Sequence, residues 1–301
     1  MLKEVLDIID LLDDARIDGE RVKQFLKEKG GIEDITVTRV EGEKGYTDFI
    51  TIKIEGNGNG PTLGVIGRLG GIGARPEMIG LVSDGDGAVA ALSVALKLGK
   101  MKKRGDILPG NVIISTHIDP DAPTSPHEPV PFMGSSVDIK VMNEMEVKPQ
   151  MEAILSIDTT KGNRIINHRG FAISPTVKDG WILKVSNDLL DIMERVTGEL
   201  PYVFAITTQD ITPYGNGIDH LNSIMQPAVV TDVPVVGVAI TASVPVPGCG
   251  TGASHEVDIE LASRFVIEVA KEFTRGKITF YDRDEYEKLL KLYGRMSFLR
   301  K

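Results

Sequence analysis

The chain has 301 residues, 42% of them hydrophobic and 26% charged, and a formal charge of −9. No stretch collects enough Lys and Arg to serve as a nucleic-acid footprint, and no apolar run approaches the roughly 20 residues of a bilayer span. The acidic, amphipathic start MLKEVLDIIDLLDDARIDGERV is wrong for a signal or transit peptide, and a single cysteine, Cys249, excludes an intrachain disulfide framework, so a cytoplasmic protein is expected.

Residues 2–29 place Val5, Ile8, Ile9, Leu11 and Leu12 at helical spacing, and Gly30 and Gly31 end this N-terminal helix (1–29). The runs at 35–40 and 48–56 alternate as half-buried strands do, whereas TLGVIG (62–67) is continuously small and apolar, as in a central parallel strand. The stretch SDGDGAVAALSVALKLG (83–99) predicts a helix over 87–98. Buried strands follow at 110–119 and 152–158, an extended segment at 164–174 and a helix at 181–198. Strands are expected at 202–209 and 233–243, then helices at 258–273 and 284–296. Strands alternating with helices predict an α/β sandwich of three layers around a mostly parallel mixed sheet, with residues 1–301 as a single domain. The loop DPDAPTSPHEPVPFMGSSVD (119–138) carries five prolines, and a loop of that length is a candidate for function or a subunit contact.

Open α/β sheets bind ligands beyond the carboxyl ends of their strands, so polar residues there matter most. Asp84 precedes the Ala-rich helix, His117 and Asp119 end the strand at 110–119, and Asp158 ends the strand at 152–158. His255 and Glu256 follow the strand at 233–243 through the loop VPVPGCGTGAS. Carboxylate and imidazole together suit zinc or another divalent transition metal. Each residue also has an ordinary structural role: an Asp before a helix commonly caps it, and a lone His at a strand end is commonly a hydrogen-bonded structural group. His127 reads as exposed, and Glu256 as a cap for the following helix. A calcium loop starting at Asp84 fails, because Ala88, Val89 and Ala95 occupy its required fifth, sixth and twelfth positions. A phosphate loop lacks its lysine and hydroxyl, and a dinucleotide loop would set the two acids against the pyrophosphate.

The order of these acids resembles the zinc aminopeptidase and carboxypeptidase superfamily over roughly residues 45–275. Asp84-Gly85-Asp86-Gly87-Ala88-Val89-Ala90-Ala91 is similar to its D-x-K-G-G-x-A-A element, and AILSIDTT is similar to its strand ending in a metal Asp. GNGIDH (215–220) resembles its Gly-x-x-Asp loop, and GTGASHEVDIELASRFVIEVAKEF its terminal His loop and helix. The resemblance is to a bacterial and archaeal family of unassigned activity related to these peptidases. It implies a zinc-peptidase-like (phosphorylase/hydrolase-like) fold, a divalent metal (Zn, with Mn or Co as alternatives) and single-domain architecture. It implies Asp84, Asp158 and His255 as metal ligands, with Asp119 or His117 activating water. Arg68, Arg169, Asp219 and His220 would contact a small peptide or amide substrate.

The departures are at specific positions. Arg68 and Gly70 stand where the superfamily has its H-x-D element, and the Glu-Glu pair is replaced by His117-Ile118-Asp119-Pro120-Asp121. Two functions therefore compete: a metal-dependent hydrolase with an altered mononuclear site, and an altered relative that binds peptide, amino acid or protein without cleavage. A third possibility, a Cys249 nucleophile six residues before His255, competes with an inert buried thiol. A homo-oligomer is expected by analogy with related folds.

Overall fold

The computed structural model describes residues 1–128 and 130–300, so Pro129 of the predicted proline loop lies outside the described residues. Nine strands form one mixed sheet. β1 (Ile35–Gly42) and β2 (Gly45–Ile54) make an antiparallel hairpin at one edge, where β1 alternates buried and exposed side chains. β3 (Gly60–Gly67), β4 (Gly110–Ile118), β7 (Ala153–Thr159) and β11 (Val235–Thr241) form the centre, in the order β4-β3-β7-β11 and all parallel. Their side chains are almost all buried because both faces are covered, which accounts for their continuous apolar text. β8 (Gly170–Ile173), β9 (Val177–Lys178) and β10 (Trp181–Ile182) extend the sheet antiparallel beyond β11. In the proline loop, β5 (Thr124–Ser125) and β6 (Phe132–Met133) pair as a separate short ribbon.

One face of the sheet is covered by α1 (Leu2–Leu12), α2 (Gly19–Phe25), α3 (Asp86–Lys103), α5 (Asn187–Thr197) and α6 (Glu256–Thr274). The main core lies there, with Ile8, Leu92, Ile114, Leu155, Val238 and Phe265 in one cluster. The opposite face is covered by 3₁₀ turns at Gln209–Ile211 and Ser223–Val229, which bury Ile211, Ile224 and Met225 against Ile66, Ile154 and Ala239. α4 (Ile139–Glu146) covers the β2 end of that face, with Met142 packed among Phe49 and Val137. α7 (Arg283–Tyr293) lies near the surface and buries only Tyr286. The α/β three-layer architecture expected from the sequence is the one observed.

Some element boundaries differ, each for a tertiary reason. The single N-terminal helix is broken after Leu12 because the chain turns to meet the β1–β2 hairpin. Gly19 approaches so closely that a Cβ there would lie 2.6 Å from Val37, and its N–H donates to Asp48 at 2.9 Å. Asp18 restarts the helix by accepting from the Arg21 N–H. The run at 181–198 divides into β10 and α5, with Ser186 capping the helix. Residues 202–209 form no strand apart from one bridge between Val203 and Ile173, and only Gly170–Ile173 of the extended 164–174 segment pairs. Among the described residues no helix is long and apolar enough to cross a membrane.

Candidate functional site

The parallel strands end in a common region, and α3 begins there. Gly87 makes that junction possible: its Cα lies against the Arg68 carbonyl, so any Cβ would overlap it. The glycines of the 83–87 stretch thus serve close helix–strand packing. Neither aspartate of that stretch caps α3, whose N-cap is Gly85 without a side-chain bond. Asp84 sits in a 3₁₀ turn, Ser83–Gly85, that the 247–250 loop holds in place. The Ser83 N–H donates to the Gly250 carbonyl at 3.1 Å and the Asp84 N–H to the Gly248 carbonyl at 3.0 Å. Gly248 lies against the Asp84 carboxylate, where a Cβ would come within 2.6 Å of Cγ.

Asp84 is partly exposed, and Asp158 and Asp86 are buried. Burial, reinforced by the charges of Asp158 and Asp86 and opposed by Lys161, pushes the Asp84 carboxyl up to about 7. Asp158 is pushed up to about 6 by burial, against the Thr159 N–H at 2.7 Å, the Ser223 hydroxyl at 3.0 Å and the Arg68 charge. Tyr214 is also raised, to about 12, by burial and then by the charge of Asp158. Asp84 and Asp158 are therefore two acids within each other's field.

The basic groups nearby are already committed. Arg68 is fully buried; its Nε donates to Glu146 Oε2 at 2.8 Å and its Nη2 to Asn143 Oδ1 at 2.6 Å. Burial raises Glu146, but the charge of Arg68 and the interaction with His117 outweigh it and hold the carboxyl low. His117 closes the network: the Gly70 N–H donates to its Nε2 at 2.9 Å, which assigns the proton to Nδ1, 2.6 Å from Glu146 Oε1. Lys161, its side chain 1% exposed, forms an ion pair with Asp86 and donates to the Ala253 carbonyl at 2.5 Å.

The residues expected from the sequence are only partly brought together. Asp84 lies within the field of Asp158, but His255 stands at the N-cap of α6 without a side-chain cap bond, 44% exposed, 3.5 Å from Asp258 and within the field of Asp86. Among the described residues no three His, Cys, Asp and Glu side chains form a group able to hold a metal ion. Both ring nitrogens of His117 are engaged, leaving none for a metal or a water. The Asp119 carboxylate accepts from the Ser136 N–H at 3.2 Å and the Thr47 hydroxyl at 3.4 Å, and burial raises it. Arg68 turns into the α4 side and bonds protein groups. Arg169 is exposed beside Asp258, and Asp219 is exposed. The His220 nitrogens lie 2.9 Å from the Ile218 carbonyl and 3.0 Å from the Thr212 carbonyl, with the ring 4.3 Å from that of Tyr214. Burial, then the charges of Asp84 and Glu77, push the Cys249 thiol up to about 11, the opposite of what a nucleophile requires.

Sequence reasoning missed Lys161, Glu146, Asn143, Tyr214 and Ser223. Only Lys161 carried a local signal, as a lysine three residues beyond the strand-end Asp158. Glu146 ends a helix far from any recognised element.

Residues 38–301 match the family described as protein of unknown function, DUF1177. The chain belongs to that family. A comparison with curated proteins gives no match by sequence. The bottromycin maturation enzyme BotP resembles the chain in structure with a TM-score of 0.52 and 15% identity, over 91% of this chain and 70% of BotP. BotP in complex with Mn gives 0.52 and 14%, over 90% of this chain and 71% of that one. The glutaminyl cyclase of an Acidobacteriales bacterium gives 0.50 and 12%, over 91% and 94%. These likenesses show the fold, the zinc-peptidase-like α/β sandwich that the sequence resemblance implied.

Proposed function

We propose that the strand-end site binds the primary ammonium group of an amino acid or short peptide at Asp84 and Asp158. In this reading the chain is an altered relative of the peptidases that binds without cleaving. The observation that carries it is the charge pattern: Arg68 and Lys161 are paired with Glu146 and Asp86, whereas Asp84 and Asp158 have no ion-pair partner among the described residues and the charge of Asp158 acts on Asp84. A third cation would relieve that repulsion, and the partial exposure of Asp84 provides its approach. Thermal shift and calorimetric titration at pH 8 with leucine, leucinamide and Leu-Gly would test this, with N-acetyl-leucinamide as the uncharged control. Free amines should stabilise the protein and emerge unchanged. No stabilisation, or an equal effect from the acetylated control, would sink the reading.

A second reading has a specific observation behind it, because paired carboxylates also suit a divalent ion. Zinc, manganese or cobalt on Asp84 and Asp158 would supply a Lewis acid for hydrolysis of a small peptide or amide. His255 would have to leave Asp258 to become the third ligand. Metal-dependent appearance of leucine from Leu-Gly would favour this reading.

A further inference from the structure

We propose that the two buried side-chain cations, Arg68 and Lys161, supply the positive charge that a divalent ion would otherwise bring, so that the native strand-end site is assembled by resident charge and retains no divalent ion. The inference stands apart from the identity of the ligand and rests on four features of the fold.

Arg68 follows β3 directly, at the position where the sequence resemblance puts the first imidazole ligand. It is fully buried, and its partner Glu146 is buried with it. Lys161 follows β7, in the same way, and its ammonium meets Asp86 where both side chains are at most 1% exposed. Removing a cation from water costs several kcal/mol unless a fixed carboxylate and further hydrogen bonds compensate. Each cation has a carboxylate and a further acceptor, Glu146 and Asn143 for Arg68, Asp86 and the Ala253 carbonyl for Lys161, while the buried Nη1 of Arg68 has no hydrogen-bond partner among the described residues.

The two cations also act on the acids that would otherwise serve as ligands. Lys161 pairs with Asp86, two residues beyond Asp84, and Arg68 leaves the end of β3, the strand beside the one that carries Asp158. An incoming divalent ion would meet two positive side chains that cannot leave without opening the core. Finally, His117, at the end of β4, spends both ring nitrogens on Gly70 and Glu146, and among the described residues no three His, Cys, Asp and Glu side chains gather into a group able to hold a metal ion. That arrangement does not fit a zinc centre of the usual nitrogen-containing kind.

The test is a metal titration, so its failure is distinguishable from failure of the amine titration. Full-length protein purified without chelator and without a metal-affinity step is assayed by inductively coupled plasma mass spectrometry. Its melting temperature is then followed with EDTA, Zn²⁺ and Mn²⁺. Substoichiometric metal and an unchanged melting temperature are expected. One or more retained equivalents, or an EDTA-reversible rise in melting temperature, would overturn the inference. Lys161→Met supplies a second arm. Freed from the ammonium, Asp84, Asp86 and Asp158 should gain Mn²⁺ affinity, seen as a Mn²⁺-dependent rise in melting temperature that the wild type and Lys161→Arg lack. A folded Lys161→Met protein indifferent to Mn²⁺ would also overturn it. If Lys161→Met does not fold, the wild-type metal analysis decides alone.

Discussion

Arg68→Met separates two roles for this arginine, a ligand-binding side chain and a buried structural cation. Methionine matches the length and apolar stem of arginine but leaves Glu146, itself fully buried, facing only His117. Breaking a buried ion pair by removing one partner typically costs about 3–5 kcal/mol, because the remaining charge is stranded in low dielectric. The bond to Asn143 at 2.6 Å is lost as well, which argues for the upper half of that range. Neutralising the stranded acid should recover part of the loss: in Arg68→Met/Glu146→Gln the amide carbonyl can still accept from His117. A favourable coupling of about 1–3 kcal/mol between the two substitutions is therefore expected. Urea denaturation at pH 7.5 of the wild type, both single variants and the double variant measures it. A loss below about 1 kcal/mol for Arg68→Met would refute the buried-pair reasoning. So would a double variant no better than the sum of the singles.

Asp84→Asn should stabilise the protein at pH 8 and have little effect near pH 4. The folded carboxyl is raised from 3.8 to about 7, so the folded state binds more protons than the unfolded one between those values. Stability from this group therefore falls as pH rises through that window, by at most about 4 kcal/mol; urea midpoints at the two pH values would show it, and a variant less stable at pH 8 would contradict it. By the same sign, stabilisation by leucinamide should be stronger at pH 8 than at pH 5.5, where Asp84 is protonated; calorimetry showing the reverse order would count against the ammonium reading. Gly87→Ala should destabilise by about 3 kcal/mol or more, since its Cβ overlaps the Arg68 backbone carbonyl, and a near-wild-type melting curve would contradict that packing. Asp18→Ala should cost about 1 kcal/mol through loss of the α2 cap, checked by chemical denaturation.

Periodicity and burial text carried much of the fold. The continuous apolar runs at 62–67, 110–119, 152–158 and 233–243 became the four parallel central strands, because a strand covered on both faces has no room for alternation. Asp84 and Asp158 were legible as strand-end acids, and the charge of Asp158 reaches Asp84 because β7 lies beside β3 ahead of α3. Short and boundary elements were less legible: the break after Leu12 depends on a contact with Asp48, and the 3₁₀ cover at Ser223–Val229 has neither helical nor strand periodicity. The chemistry of the site was least legible of all. Arg68 and Gly70 announced by sequence that an H-x-D element was missing, yet only the tertiary structure decided where Arg68 points. Its partners are 75 and 78 residues away, on a helix that local pattern did not reveal. Lys161 and Asp86 are likewise 75 positions apart and meet only because β7 ends where α3 begins. Sequence determines which ionisable groups the chain carries; low-dielectric packing determines which of them neutralise one another.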